Sequence, residues 1–205
     1  MIPRHHTVLF VILLVASIAM GGELWHLRER AHQRMLAGQD NATPTTAPQV
    51  APAVSATLMV AKDADNSLLP QEQSLPLPEE SGARARVILG KLLDLYAAAG
   101  SAHPVPGGAT AISQVFLLPA GAKSATGPQL AVVNLTASFA ASHPSGIETE
   151  SLTVLSICGT IHANLPRVTE VRFLVDGQMR PTLAGHADLT RTYLATDASP
   201  AADAK

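Results

Sequence analysis

EVRFLVDG (170–177) is the stretch on which the fold turns. Val171, Phe173 and Val175 alternate with Arg172 and Asp176, the period of a strand with one buried face. The strand closes on Asp176-Gly177, a pair suited to a two-residue turn. Immediately upstream, IETESLTVLSICGTIHANL (147–165) reads as a helix with Ile147, Leu152, Leu155, Ile161 and Leu165 directed inward. Before it lie FAASHPSG (139–146), a loop, and QLAVVNL (129–135), a partly alternating strand. A strand, a helix and a second strand therefore follow one another.

Further out, AISQVFLLP (111–119) is extended, AGAKSATG (120–127) is turn-forming and AHPVPGG (102–108) is a loop. EESGARARVILGKLLDLYAAAG (79–100) is a helix with Ser81 as N-cap and Glu79 and Glu80 at its positive end. Val87, Ile88, Leu92, Leu95 and Tyr96 mark its buried face, and Gly100 ends it. Gly90 weakens the interior by about 1 kcal/mol relative to alanine, which a close approach to a neighbouring strand would explain. ATLMVA (56–61) is a strand ended by the turn-forming KDADN, and SLLPQEQSLPLP (67–78) is extended, with room for no more than a short edge strand. The order β–α–β–β–α–β predicts an α/β (α+β) fold: a two-layer sandwich with two helices on one face of a small mixed sheet. The other face is open or covered by partners.

The N-terminus carries an apolar run, 8–20, with no charge. Gly21, Gly22, Leu24, Trp25 and Leu27 extend it to about the length needed to cross a bilayer. Residues 1–27 are therefore expected to be a transmembrane anchor or uncleaved signal, with Trp25 at the interface. Residues 28–54 form a juxtamembrane segment and a Pro/Thr/Ala-rich linker, too polar to bury a core. Residues 55–194 are the folded part and 195–205 a disordered tail.

Composition removes several functions. Charged residues are 15% and aromatics 3% of 205 residues, and the formal net charge is -2, so no basic field attracts nucleic acid. One cysteine, Cys158, supports neither an internal disulfide nor a cysteine-type metal site. No cofactor motif is present.

LLPAG (117–121), AVVNLTASF (131–139) and VTEVRFLVDGQMRPTLAGHADLTRTY (168–193) together resemble the GerMN domain family, over about residues 55–194. The densest likeness is FLVDGQ followed by TLAGHADL. One departure is Asn134, where the family commonly has aspartate. The resemblance implies export, tethering and a non-enzymatic scaffold role in envelope assemblies, with envelope proteins or cell-wall components as partners. Arg28, Arg30 and Arg34 after the apolar run favour a cytoplasmic C-terminus by charge counting. The resemblance favours the opposite side, a single-pass inner-membrane protein with its domain periplasmic. An open sheet edge leaves room for self-association.

Asp176, His186 and Asp188 are the best polar cluster, flanked by Gly177 and Gly185. A histidine between two carboxylates could act as a base or bind metal, which would make a cell-wall-directed ligand-binding protein or hydrolase. The plainer expectation is structural: a tight turn at Asp176-Gly177, an unusual backbone angle at Gly185, and loop contacts from His186 and Asp188. No catalytic, cofactor or metal residue is assigned. Cys158 reads as a small buried hydrophobe, His103, His143 and His162 as scattered, and Arg84, Arg86 and Lys91 as a solvated basic strip.

Overall fold

The computed structural model describes residues 17, 19–25, 28, 53–120 and 127–198. The chain divides into two units, Met1–Val50 and Ala51–Lys205. In the first, the described residues are helical, with Met20, Leu24 and Trp25 exposed. Among the described residues no helix is long and apolar enough to cross a membrane. Most of the expected anchor and linker lies outside them, as do residues 199–205 of the expected tail.

The second unit opens with strands β1 (Ala53–Lys62) and β2 (Ser67–Pro76), joined by a turn in which Asn66 takes φ 50°. Helix α1 (Ser81–Ala97) follows, then a 3-10 turn (Gly108–Ala111), β3 (Ile112–Pro119) and β4 (Gln129–Leu135). A short helix α2 (Ala137–Ser142) and the long α3 (Ile147–Asn164) lead to β5 (Val168–Val175). The chain ends with β6 (Tyr193–Leu194) and a 3-10 turn (Ala195–Ala198). The fold is mixed α+β, as expected, but it has two sheets where one was expected. β1 and β2 form an antiparallel pair, and β3-β4-β5-β6 form the second sheet. Within that sheet β4 and β5 run parallel, linked through α2 and α3, and the other neighbours are antiparallel.

The free edge of β1 explains the separate pair. The N–H groups of Thr57, Met59 and Ala61 donate to Asn164 Oδ1 at 3.0 Å, Thr160 Oγ1 at 2.9 Å and the Tyr96 hydroxyl at 2.9 Å. Side chains of α3 and α1 thus take the bonds a third strand would need. The same alternation places the prolines. Met59 lies opposite Pro70 and Ala53 opposite Pro76, so both proline nitrogens point to the outer edge of β2, where no donor is required. β2 therefore runs its full length despite them, longer than the sequence suggested.

Helix α3 is the centre of the domain, with Leu152, Thr153, Val154, Ile157, Cys158 and Ile161 all buried. Ile88, Leu89, Leu92, Leu93 and Tyr96 of α1 complete the core with Val133, Val171 and Phe173 of the sheet. Several local expectations change. Ile147 and Val87 are exposed, not inward. Glu80, not Ser81, caps α1: its carboxylate accepts from Gly82 N at 2.7 Å and from Ala83 N. Gly90 makes room for Ala109 in the 3-10 turn, 3.2 Å from where a Cβ would stand, and not for a strand. The expected loop 139–146 contains most of α2, started by Thr136 as N-cap. Ala195, placed in the tail, is buried.

Candidate functional site

The Asp176-Gly177 turn forms as expected. Its residues take φ 47° and 75°, and Val175 and Gln178 exchange bonds of 2.9 and 3.0 Å, the geometry of a two-residue hairpin turn. Asp176 Oδ1 accepts from Ala137 N at 3.1 Å and so holds the start of α2. Asn134 Oδ1 accepts from Gly177 N at 2.8 Å. That bond needs only an acceptor oxygen, which asparagine supplies as well as a carboxylate would.

His186 lies elsewhere. The segment after Pro181 folds back on itself, with Leu183 N bonded to Ala187 O and Leu189 N to Pro181 O, both at 3.0 Å. Leu183, Ala187 and Leu189 plug the core, and Gly185 takes φ 129°, the unusual angle expected of it. Glu150, fully buried in the first turn of α3, holds this segment. Its Oε2 accepts from Ala184 N at 3.0 Å and from His186 N and Ala187 N at 2.9 Å. Its Oε1 takes His186 Nδ1 at 3.0 Å and Gly146 N at 3.3 Å. Burial alone would raise the pKa of this carboxyl. The donors from Ala184, the His186 ring and Ala187 outweigh it and bring the pKa down to about 2. Facing a carboxylate, Nδ1 of His186 carries the hydrogen. The ring is 42% exposed and its Nε2 edge is left over.

Asp188 is also committed. Its Oδ1 accepts from Thr190 N at 2.8 Å and from the Thr190 hydroxyl at 2.6 Å, and these bonds, the hydroxyl first, lower its pKa. His186 and Asp188 share the wall of a hollow of about 280 Å³ with Ser151, Leu155, Arg191 and Tyr193. Asp176 does not line it. The histidine's carboxylate partner is Glu150, a residue that the sequence reading did not single out. The available signal was its face: Glu150 stands in line with Val154, Ile157 and Ile161, and a carboxylate on a buried apolar stripe requires partners.

A second cluster joins residues that looked scattered. His103 Nδ1 donates to Asp63 Oδ1 at 2.5 Å, and His103 Nε2 lies 2.7 Å from Thr153 Oγ1. His143 Nε2 approaches the same oxygen at 2.8 Å, and His143 Nδ1 donates to Pro144 O at 2.8 Å. Burial lowers the pKa of His143. The Asp-His-Thr order imitates a nucleophilic triad, but Thr153 and His103 have no exposed surface, so no substrate reaches them. Cys158 is buried as expected. His162 Nδ1 bonds Val168 O at 3.1 Å. Arg84 and Arg86 of the basic strip donate to Pro78 O and Ile112 O. Among the described residues no three His, Cys, Asp or Glu side chains are placed to hold a metal.

The four-stranded sheet buries one face and leaves the other accessible. Phe116, Val132 and Arg172 stand side by side across β3, β4 and β5, and Leu118, Leu130 and Glu170 form the next row. Phe116 is 46% and Leu118 47% exposed. Beside them a groove of about 450 Å³ runs between β3 and the start of α1, lined by Glu80, Gly82, Arg86 and Val115 among others. Gly82 permits this close approach, since a Cβ there would stand 2.7 Å from Val115 O.

Residues 57–180 match the family model described as Germane: sporulation and spore germination. The tandem GerMN domains of the sporulation protein GerM from Bacillus subtilis match over 71% of this chain and 47% of that one, with 14% identity and a TM-score of 0.43. The chain thus spans about half the length of that structure. The first GerMN domain of the same protein matches at 16% identity and TM-score 0.35, over 66% of this chain and 92% of that one. A putative lipoprotein from Clostridium perfringens matches at 22% identity and TM-score 0.33, over 75% and 95%. No curated protein matches the chain.

Proposed function

Since this chain belongs to the Germane family of sporulation and spore germination domains, we propose that its domain is a non-enzymatic interaction module in an assembly outside the cytoplasm, tethered by the N-terminal segment. The observation that carries this reading is the uncovered sheet face. Phe116 and Leu118 lie half exposed at its β3 edge, beside Leu130, Val132 and Leu174, which are only partly covered. A contiguous apolar surface of this kind on a small domain marks a contact site. The polar groups support the same reading. Glu150, Asp176 and the buried His103–Thr153–His143 cluster are spent on internal bonds, which is what a scaffold requires of them.

The test is in-cell crosslinking of the full chain with Phe116→Glu and Leu118→Glu combined. Loss of the crosslinked species with an unchanged circular dichroism spectrum is expected. An identical crosslinking pattern would remove the sheet face from the reading. Tethering and sidedness are tested separately by a reporter fused after Lys205 that is active only outside the cytoplasm. An inactive reporter would place the domain inside and overturn the envelope assignment.

The hydrolase alternative loses its strongest support, because Asp176 is bonded to the start of α2 while His186 and Asp188 line the hollow. Ligand binding at that hollow is a separate matter.

A further inference from the structure

We propose that the hollow formed by Ser151, Leu155, His186, Asp188, Arg191 and Tyr193 binds the carboxylate end of an acylated amino acid or peptide. It lies among residues 151–193, apart from the apolar sheet face, and does not depend on the scaffold reading.

Its polar walls are held in place by contacts with one another and with Glu150, Thr190 and Phe173. The Arg191 guanidinium stacks over the Tyr193 ring at 4.2 Å. That ring is fixed twice: its hydroxyl donates to Asp188 O at 2.6 Å, and Phe173 meets it edge-on at 5.7 Å between centroids. The stack orients the planar fork of donors that suits a carboxylate. The His186 ring is fixed by the buried Glu150 through Nδ1, which leaves Nε2 toward the open side. Asp188 is the nearest counter-charge: its Oδ1 is held by Thr190, Arg191 helps lower its pKa through its charge and its backbone N–H, and no Asp188–Arg191 ion pair forms among the described residues. One side-chain donor of Arg191 goes to the Tyr193 hydroxyl, and the other donors of the fork are those offered to an incoming acid.

The remaining surfaces select the rest of the ligand. Ser151 offers a hydroxyl, Asp188 an acceptor for the amide N–H of an acylated residue, and Leu155 with Ala187 an apolar floor. At about 280 Å³ the hollow suits one terminal residue and not a longer segment. A free anion lacking an amide would meet Asp188 without compensation, so inorganic phosphate is disfavoured. Prior ordering of the stack lowers the cost of binding.

The experiment is a nitrogen-15 NMR titration of the full chain with N-acetylalanine, N-acetylalanine amide and inorganic phosphate. Saturable shifts at Ser151, His186, Asp188 and Arg191 are expected with the acid alone. Arg191→Gln should weaken binding by roughly tenfold or more, the effect of losing a charged hydrogen-bond partner, with core resonances such as Phe173 unmoved. Asp188→Asn, a second variant, should let phosphate compete. The proposal fails if the acid produces no saturable shift, if the amide or phosphate binds as well to the unaltered chain, or if Arg191→Gln binds the acid unchanged. None of these failures bears on the sheet face.

Discussion

Replacing Glu150 with glutamine keeps the side chain's shape and removes its charge. In the folded chain this carboxylate is fully buried and receives the N–H groups of Ala184, His186, Ala187 and Gly146 and the Nδ1 hydrogen of His186. Its pKa falls from an ordinary 4.5 to about 2. At 1.36 kcal/mol per pH unit this corresponds to about 3 kcal/mol of stability. The folded pKa is depressed, so that stability is fully present above about pH 4.5 and is lost as the pH falls toward 2. Glutamine also turns an NH2 toward donors that need an acceptor, which adds about 1–3 kcal/mol. Urea unfolding followed by circular dichroism from pH 7 to pH 2 measures both parts. Glu150→Gln should be less stable by about 4–6 kcal/mol at pH 7, the sum of the two parts. The gap should narrow through the acid range, as the unaltered carboxyl takes up its proton. A difference below about 0.5 kcal/mol at pH 7, within the range of an ordinary surface change, would refute the reasoning. So would a gap that stays constant with pH.

Two further substitutions test other parts of the fold. Thr153→Val strips the hydroxyl shared by His103 and His143 and should cost about 2–4 kcal/mol in the same assay, two buried ring nitrogens losing their partner; Thr153→Ser should recover most of it. Gly82→Ala places a methyl 2.7 Å from Val115 O and should destabilise by about 1–3 kcal/mol as α1 shifts away from β3, with hydrogen exchange rising first at the backbone amides of positions 82 and 83.

The sequence yields those elements whose period is set by one buried face. Val171, Phe173 and Val175 alternate because they enter the core in β5, and Asp176-Gly177 is legible because two successive positive φ angles demand such residues. Elements buried on several sides are harder to orient. Helix α3 is covered nearly all round, so its apolar residues do not mark one direction, and Ile147 looks inward although it is exposed. The β1–β2 pair is hidden because Pro70 and Pro76 argue against a strand until the outer-edge geometry is known. Asp63, His103, His143 and Thr153 come from four separate segments, and no spacing along the chain announces their meeting. Of the polar cluster read from sequence, the structure keeps His186 and Asp188 in one hollow, sends Asp176 to α2 and supplies Glu150.

The bonds between α3 and β1 amount to a vernier. Four residues of helix advance about 6 Å, and two residues of strand about 6.6 Å. Asn164 and Thr160, four apart, meet Thr57 and Met59, two apart. One step further, Ser156 meets the Tyr96 hydroxyl that takes Ala61 N. The two rulers stay in phase for about three marks, which is the length over which they are joined. Sliding β1 by one residue would misalign every mark together and turn carbonyls and N–H groups away from their partners. Alignment between helix and hairpin is thus written in three side chains, and a single hydroxyl, amide or phenol removed from the set would loosen one tooth without freeing the slide.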